Sequence, residues 1–426
     1  MIMNYAQALR YLDSFLNLEK LSQLPRNSFF NLKRMAHLLE ISGHPEKNFF
    51  PVLIAGTTGK GSTGFFFESI LKANKVRVGY YHSPHVEDSR ERIRIQGEMA
   101  SRTLWANKLS SIRSLLTKKP LPKKLGVLTY FEILTFLAVW IYAESGVQVG
   151  IFEIGLGGRL DATNILKAPV VLLTPIHLDH EALLGNTVKK IAGEKAAIIK
   201  NNNHVVIGWQ SREALSVIRA AIRKKKAHLW VAKPLSGISL GLSGDFQKRN
   251  AGMAMRAAEV LKKLFHFPVR SELSQKGLQF RNWKGRMECF QKYGREFILD
   301  GAHNPLSSRA LVRSLPFNRP DVCKRDWLIF GAMNDKNSRK MLEILSGAFS
   351  KVIFVKIQSS RAKSLGMLAA EAKGLFKYVL TAQNIEEALH FFKVVTAAGD
   401  KAVITGSFYL VGEARKILRT GIYAKA

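Results

Sequence analysis

Short apolar runs alternate with longer segments of helical spacing along most of the chain. Residues 52–55, 149–154 and 170–174 are apolar without alternation except at Glu153 and Thr174, and glycine follows each of the first two runs. Runs of this length predict strands that are buried on both faces of a mostly parallel sheet. Because helical segments separate them, the pattern predicts an α/β fold. It also predicts a largely helical stretch at 1–50, strands at 76–81 and 205–209, and helices at 62–73, 129–145, 185–200 and 247–265.

A second α/β series follows the segment 283–286. It spans about 130 residues, which is a plausible size for one domain. We therefore predict two domains, residues 1–289 and residues 290–426. The predicted strands of the second domain are 297–299, 326–330, 352–355 and 402–404, with helices between them.

Composition indicates a globular protein with a large core. Hydrophobic residues make up 47% of the 426 residues, which argues against a disordered chain. Cys289 and Cys323 are far apart and belong to no CxxC motif, which argues against a disulfide framework or a zinc site. We expect Cys289 to be a buried apolar residue and not a nucleophile. The apolar run 133–142 is too short to span a bilayer and no secretory signal opens the chain, so we expect a soluble, cytoplasmic protein.

The charge of the chain is strongly positive, with 65 Lys and Arg against 32 Asp and Glu, a net charge of +33. Such a field attracts polyanions, which include nucleic acids and anionic small ligands. No nucleic-acid-binding module is recognisable, and the run Lys224-Lys225-Lys226 is typical of a solvated helix end. We therefore favour a generally basic surface and predict no specific nucleic-acid partner, while incidental RNA binding in vitro stays open.

A glycine-rich segment lies between the first predicted strand and its helix. It reads Gly56-Thr57-Thr58-Gly59-Lys60-Gly61-Ser62-Thr63. Glycines let a backbone wrap an anion, and a helix N-terminus adds positive charge. Lys60 is placed to reach phosphates, and Ser62 or Thr63 to bind Mg²⁺. The alternative is a glycine-rich turn that binds nothing, but a lysine flanked by glycines at a strand–helix junction favours a phosphate-binding loop.

This loop resembles that of the Mur ligase superfamily and, within it, the folylpolyglutamate synthase and dihydrofolate synthase family. The most specific further match is E-I-G-L-G-G-R-L-D-A-T-N at 153–164. The resemblance implies an N-terminal P-loop ATPase domain of Mur ligase type with a mostly parallel sheet, followed by a smaller Rossmann-like α/β domain. It extends over about residues 38–413, through the segments 82–86, 90–95, 128–132, 178–180, 193–196, 283–286, 299–305, 330–336 and 406–413.

The chain departs from the family pattern at two places. Thr58 stands where the family usually has Asn, and Phe246 stands where G-x-H-Q-x-x-N-A has His. Asn250 of that second motif is retained.

The resemblance implies an ATP-dependent ligase. Such an enzyme activates the carboxylate of a folate or of dihydropteroate as an acyl phosphate. The amine of L-glutamate then attacks, which gives an amide, ADP and phosphate. The resemblance further implies that residues 1–289 bind ATP and folate, that residues 290–426 bring glutamate, and that ATP lies between closing domains.

Metal ligands are implied in the same way: Ser62, Ser83, Glu153, His180 and a carbamylated Lys195, with two Mg²⁺ sites. Glu153 also ends a predicted buried strand, at the sheet edge where α/β folds bind ligands. The alternative for His180 is a core or helix-capping histidine, but its place after Asp179 and a predicted buried strand favours a functional role. From the residues alone, Lys195 is interpreted as a helix-surface lysine paired with Glu194.

Nucleotide contacts are implied for Thr58, Gly59, Lys60, Gly61, Ser62, Asn250, Arg286 and Asp300, and catalytic roles for Lys60, Lys195 and His303. The alternatives are a helix amide at Asn250, a surface cation at Arg286 and a turn aspartate at Asp300. Contacts to the pteroate side are implied for Thr129, Tyr130, Phe131, Glu132, Leu160, Asp161 and Ala162.

Two other functions compete with this prediction. One is a Mur-type ligase for a UDP-muramyl peptide, although only 55 residues precede Gly56, too few for a separate UDP-binding domain. The other is a nucleotide-dependent RNA-binding or regulatory protein, suggested by the charge. The resemblance also suggests a monomer and a monovalent cation such as K⁺. The choice between folate and dihydropteroate and the length of the glutamate tail stay open.

Overall fold

The protein is described by a computed structural model that covers residues 2–21, 30–281, 283–315 and 326–419. These residues form two compact units. The first unit extends to His85 and includes Ser89–Ser239 and Lys248–Phe280. The second contains Val86–Asp88, Leu240–Gln247 and the chain from Arg281 onward. Cys323 lies outside the described residues.

The first unit is built on an eight-stranded, mostly parallel sheet with the strand order β4-β3-β2-β5-β1-β6-β7-β8. Strands β3 and β4 pair antiparallel at one end, and the other six run parallel. The fold-class prediction is therefore confirmed. The strands are β1 Phe50–Ala55, β2 Val78–Tyr81, β3 Ile93–Ile95, β4 Glu98–Met99, β5 Val149–Glu153, β6 Val170–Leu173, β7 His204–Ile207 and β8 His228–Val231.

Helices cover this sheet, and their apolar faces form its core. The helix Tyr130–Glu144 contains the apolar run 133–142 and is buried along most of its length, as predicted. The helix Arg102–Lys118 was not predicted, because only four of its residues are buried. The helices are α1 Tyr5–Asp13, α2 Lys33–Ile41, α3 Lys60–Ala73, α4 Arg102–Lys118, α5 Tyr130–Glu144, α6 Glu181–Leu184, α7 Val188–Ala196, α8 Arg212–Lys224, α9 Phe246–Phe265 and α10 Ser271–Gly277.

The second unit carries a six-stranded sheet with the order β13-β12-β11-β14-β10-β9, in which only the β9–β10 pair is antiparallel. The predicted boundary at 289/290 falls inside β9, whose pairing with β10 places it in this unit. The elements are β9 Glu288–Lys292, β10 Arg295–Leu299, α11 Pro305–Ser314, β11 Trp327–Phe330, α12 Ser338–Ser346, β12 Lys351–Val355, α13 Leu365–Glu371, β13 Tyr378–Ala382, α14 Ile385–Val395, β14 Lys401–Thr405 and α15 Phe408–Arg419.

A short segment from the first half of the chain packs with the second unit. The Glu87 carboxylate accepts hydrogen bonds from Arg415 at 2.7 Å and from Lys284 at 3.2 Å. A Cβ atom on Gly412 would lie 2.1 Å from the Val86 carbonyl oxygen, so α15 approaches this segment closely. No pattern in the sequence indicates this placement, because Val86–Asp88 lie between two motifs of the first unit.

Cys289 is exposed, so the expectation that it is buried is wrong. It lies on the edge strand β9, where Phe290 faces the core and its neighbours face outward. Partial desolvation, together with the carboxylates of Glu296 and Glu288, raises the pKa of its thiol. The thiolate is therefore disfavoured, which does not suit a nucleophile.

No helix in the described part of the chain is long and apolar enough to cross a membrane.

Candidate active site at the carboxyl edge of the first sheet

The glycine-rich loop leaves β1 and wraps back onto the start of α3. Gly56 has φ +148°, and a Cβ atom there would lie 1.8 Å from Thr174 Oγ1. The Thr57 hydroxyl exchanges hydrogen bonds with the backbone of His177, at 3.1 Å from its N–H and 3.2 Å from its carbonyl. The Thr57 and Thr58 amides donate to the Pro175 carbonyl at 2.9 and 3.3 Å. Contacts with the segment 174–177 therefore hold the backbone of the loop in place before any ligand binds.

The first turn of α3 presents the groups that an anion needs. Gly59 precedes the helix with φ +84°, so the chain turns sharply, and the N–H groups of Lys60 and Gly61 begin the helix without intrahelical partners. The Lys60 ammonium donates to the Gly56 carbonyl at 3.2 Å, which curls the side chain over the loop. Ser62 is buried, and the buried Thr63 hydroxyl has no hydrogen-bond partner among the described residues. This arrangement suits a bound phosphate chain.

Glu153 ends β5, the strand paired with β1, and is buried beside the loop. Its Oε1 atom lies 3.8 Å from Lys60 Nζ. The Tyr80 hydroxyl lies 3.1 Å from Glu153 Oε2 and 3.2 Å from the Gly61 carbonyl. A carboxylate is therefore fixed next to the phosphate loop by a cation and a phenol. Sequence reasoning missed Tyr80, whose only signal is its position one residue before the end of a buried strand.

Lys195 is also brought to this edge. It is 6% exposed and lies on α7. A Cβ atom on Gly158 would lie 3.0 Å from Lys195 Cα and 2.6 Å from the Glu194 carbonyl, so the loop after Glu153 rests directly on this helix. The reading of Lys195 as a surface lysine is wrong. Glu194 instead pairs with Arg159 at 2.9 Å.

Ser83 and His180 follow two further strands of the same edge, β2 and β6. His180 has φ +50° and immediately precedes α6. Its Nε2 atom lies 3.9 Å from Asp179 Oδ1, and its side chain is 30% exposed. In the described ranges, no cluster of three or more His, Cys, Asp or Glu side chains could hold a metal. The predicted metal set contains only two side chains of those types, Glu153 and His180, and its assignment stays a prediction.

Asn250 reaches the phosphate loop from α9. A Cβ atom on Gly59 would lie 2.5 Å from Asn250 Oδ1, and Asn250 is 5% exposed. The amide therefore packs against the loop although 190 residues separate the two in sequence. Phe246, which replaces the family histidine at the start of α9, does not prevent this contact.

Several of the predicted pteroate-side residues form hydrogen bonds or ion pairs within the protein. Thr129 and Glu132 form the capping box of α5, and Glu132 also pairs with Arg34 at 2.8 Å. Asp161 accepts hydrogen bonds from the amides of Gly155 and Leu156, both at 3.0 Å, and from Thr163. These side chains shape the loops around the site. Tyr130 and Ala162 are buried, whereas Phe131 and Leu160 are partly exposed.

In the second unit, two of the predicted site residues, Arg286 and His303, lie against the ring of Phe408. The Arg286 guanidinium lies 4.6 Å from the centroid of Phe408, and the His303 ring lies 5.8 Å from it. Arg286 Nε is buried and has no hydrogen-bond partner within the described ranges. His303 Nδ1 lies 2.8 Å from the Gly301 carbonyl, so in the neutral ring Nδ1 carries the proton and Nε2 is left basic.

Asp300 is fixed at the end of β10. Its two oxygens accept from the amides of Met287 at 3.0 Å and Ala302 at 2.9 Å. Burial raises the pKa of this carboxyl, and Arg286 opposes that shift. Asp300 thus anchors the loop that carries His303.

Comparison with known proteins matches residues 285–408 to the family described as "Mur ligase, glutamate ligase domain". The folylpolyglutamate synthase of Lacticaseibacillus casei is 30% identical, with 98% of this chain and 100% of that protein covered. The dihydrofolate synthase/folylpolyglutamate synthase of Bacillus subtilis is also 30% identical, with 91% and 95% covered.

Among solved structures, folylpolyglutamate synthase of Mycobacterium tuberculosis complexed with ADP superposes with a TM-score of 0.86 at 26% identity, covering 97% of this chain and 98% of that one. Sequence similarity and fold therefore agree over nearly the whole chain. Because relatives at this identity are matched along almost their full length, the chain belongs to the folylpolyglutamate synthase and dihydrofolate synthase family of Mur ligases.

Proposed function

We propose that this protein is an ATP-dependent ligase that joins L-glutamate to the carboxylate of a folate-type acid. The observation that carries the proposal is the carboxyl edge of the first sheet, where Lys60 lies 3.8 Å from the buried Glu153 beside a pre-formed phosphate loop. Family membership supplies the substrate class. The relatives of this chain include a folylpolyglutamate synthase and a dihydrofolate synthase/folylpolyglutamate synthase.

ATP is assigned to the phosphate loop. The amides at the start of α3 face the β- and γ-phosphates, and Lys60 neutralises part of their charge. Thr58 and Ser62 line the loop, and Asn250, held against Gly59, is assigned to the adenine. Arg286 and Asp300 are assigned to the nucleotide on the family resemblance alone, and this assignment stays a prediction.

The residues at this edge fit Mg²⁺, which prefers oxygen ligands and keeps several waters. The donors are the Glu153 carboxylate and the Ser62 and Ser83 hydroxyls, with His180 as a nitrogen ligand. The buried Thr63 hydroxyl, which has no partner among the described residues, adds a further donor. When bound, the ion supplies charge neutralisation for the transferred phosphoryl group. Whether one or two ions bind, and whether K⁺ also acts, stays a prediction.

Carbamylation of Lys195 is part of the proposal. The neutral amine adds to CO₂ with loss of one proton, which turns a buried cation into an anion beside the loop that follows Glu153. The close packing of Gly158 on the Lys195 backbone supports a role at the site. Native mass measurement should show one added carboxyl group, and Lys195→Ala should remove it. An unmodified mass in bicarbonate buffer would refute the assignment.

The chemistry then has two steps. A carboxylate oxygen of the folate-type acid attacks the γ-phosphorus of ATP, and ADP leaves. The glutamate amine attacks the acyl carbon, phosphate leaves, and an amide forms. We assign the proton released by the amine to His303 Nε2, which is basic because Nδ1 faces the Gly301 carbonyl.

The test is glutamate-dependent ADP release by the purified protein with Mg²⁺ and ATP, comparing dihydropteroate with tetrahydrofolate as the acid. Turnover with dihydropteroate would establish the synthase activity, and turnover with both acids would establish a bifunctional enzyme. Family membership does not favour the alternative UDP-muramyl acceptor. The absence of turnover with both folate-type acids would refute the proposal. Sedimentation velocity tests the expected monomer.

A further inference from the structure

A basic and aromatic surface lies at the amino ends of β7 and β8, which we call the amino-end patch. It is formed by the start of these two strands, the end of α8 and the end of α9. These strands run parallel to β1, so the patch lies at the edge of the sheet opposite the phosphate loop. The patch consists of the cations Lys200, Arg223, Lys224, Lys225, Lys226, Lys262 and Lys263 and the rings of His204, His228, Trp230 and Phe265.

The rings of the patch form one contact group. His204 and His228 stand opposite each other in the β7–β8 register and stack at 4.8 Å with 17° between their planes. The Trp230 indole N–H lies 3.3 Å from His204 Nδ1, and Phe265 packs edge-on against His204 at 5.8 Å. His228 is exposed and Trp230 half-buried. The group therefore presents flat rings to solvent from an edge strand, rather than burying them in the core.

The cations around these rings are uncompensated. None of the seven forms an ion pair with another described residue. The three segments that build the patch, residues 198–204, 222–231 and 260–267, contain no Asp or Glu. Desolvation and the nearby ammonium of Lys225 lower the pKa of Lys200.

A solvated helix end explains only part of this surface. Arg223 and Lys224 complement the dipole at the end of α8. Lys262 and Lys263 do the same for α9. The dipole does not account for the stacked rings between the two helix ends. Basic side chains interleaved with accessible aromatic rings are the combination that binds single-stranded nucleic acid, where the cations contact phosphates and the rings stack on bases.

We propose that the amino-end patch binds single-stranded nucleic acid without sequence preference, separately from the ligase site. Lys224, Lys225 and Lys226 contact the backbone phosphates, and His228 and Trp230 stack on bases. The binding depends strongly on salt because the phosphate contacts release counterions. It requires unpaired bases because a duplex hides their faces.

The experiment measures fluorescence anisotropy of a labelled 12-nucleotide oligoadenylate RNA at several salt concentrations. Removing the charge of Lys224, Lys225 and Lys226 by triple alanine substitution should reduce the slope of log K against log salt by about 2, at about 0.7 per lost phosphate contact. Trp230→Leu should weaken binding by about 5-fold or more with little change in slope, because it removes stacking. His228→Ala, at an exposed position, tests stacking without disturbing the fold.

The matched control removes three charges elsewhere. Lys118, Lys119 and Lys123 are exposed and form no ion pair among the described residues, so their triple alanine variant should bind like the parent protein. A double-stranded 12-mer and inorganic polyphosphate, which offer charge without accessible bases, should bind more weakly than the oligoadenylate and should not respond to His228→Ala. Glutamate-dependent ADP release by the patch variants should match the parent.

Equal losses in the patch and control triples would overturn the proposal, because binding would then follow net charge alone. Tighter binding of the duplex, or of anionic vesicles, than of the single strand would overturn it as well. Failure of the ligase assay in all proteins would refute the proposed function and leave this binding test intact.

Discussion

Replacing Gly59 by alanine should disable the phosphate loop through a contact that can be read from the structure. The added Cβ would lie 2.5 Å from Asn250 Oδ1, which is about 1 Å closer than an ordinary contact. Asn250 is 5% exposed, so its amide has little room to withdraw. The residue would also have to keep φ +84°, which costs an L-residue about 1–2 kcal/mol.

The loop or the amide must therefore move by about 1 Å, and displacements of that size at a reacting site cost about 100-fold in rate. We expect kcat/KM for ATP in the ADP-release assay to fall about 100-fold in Gly59→Ala. Gly43→Ala is the matched control, since Gly43 has φ +79° and no atom within 4 Å of the added Cβ. It carries the same backbone strain without the clash, and its activity should stay within about 3-fold of the parent.

A double-mutant cycle identifies the contact responsible. If Gly59→Ala acts by displacing the amide, then Gly59→Ala/Asn250→Ala should lose no more activity than Asn250→Ala, apart from the backbone strain. If the free-energy losses of the two single substitutions add fully in the double variant, the effect of Gly59→Ala does not depend on Asn250. Parent-like kinetics in Gly59→Ala would refute the assignment of the loop to ATP.

Three further substitutions test the candidate site, at Glu153 and Tyr80, and the pH dependence of stability, at Asp326. Glu153→Gln should lower kcat at least about 100-fold while the protein stays folded, because a buried carboxylate beside Lys60 is lost; a change below 10-fold would contradict its role. Tyr80→Phe should cost a smaller factor, about 10-fold, because it removes one hydrogen bond to that carboxylate, and a pH–rate profile identical to that of the parent would count against it. Burial raises the pKa of Asp326 to about 6 from 3.8, so stability from this group is full below pH 3.8 and is lost as the pH rises through 6. The shift of about two pKa units, which already includes the attraction to Lys401, sets an upper limit of about 3 kcal/mol. Asp326→Asn should therefore raise the free energy of unfolding at pH 8 by no more than about 3 kcal/mol and should leave it unchanged near pH 3.5 in urea titrations. Destabilisation at pH 8 would refute the sign.

Sequence reasoning was strongest where burial and turn chemistry coincide. The strands at 52–55 and 149–154 and the helix that follows the phosphate loop were predicted within one to two residues. It failed where an element is only half buried. Strand β8 and helix α4 carry mixed patterns, because each faces solvent along much of its length and its apolar positions are few.

Some residues of the candidate site could be predicted from the sequence, and others could not. Lys60, Glu153 and Asn250 could be named from motifs, because the residue types and their order along the chain identify the family. Tyr80 could not, because its role depends on the register that places β2 beside β5. Lys195 reads as a surface lysine in sequence, and only the packing of Gly158 on α7 shows it to be buried.

By itself, the sequence determined the local order of strands and helices, the phosphate loop and the family, since these depend on short-range patterns and on residue identity. Only the tertiary structure decided which distant groups meet. It placed Asn250 against Gly59, set Glu87 among the cations of the second unit, and stacked His204 on His228 among lysines that form no ion pair with another described residue. These contacts follow from strand order and helix packing, which bring together residues far apart in the chain.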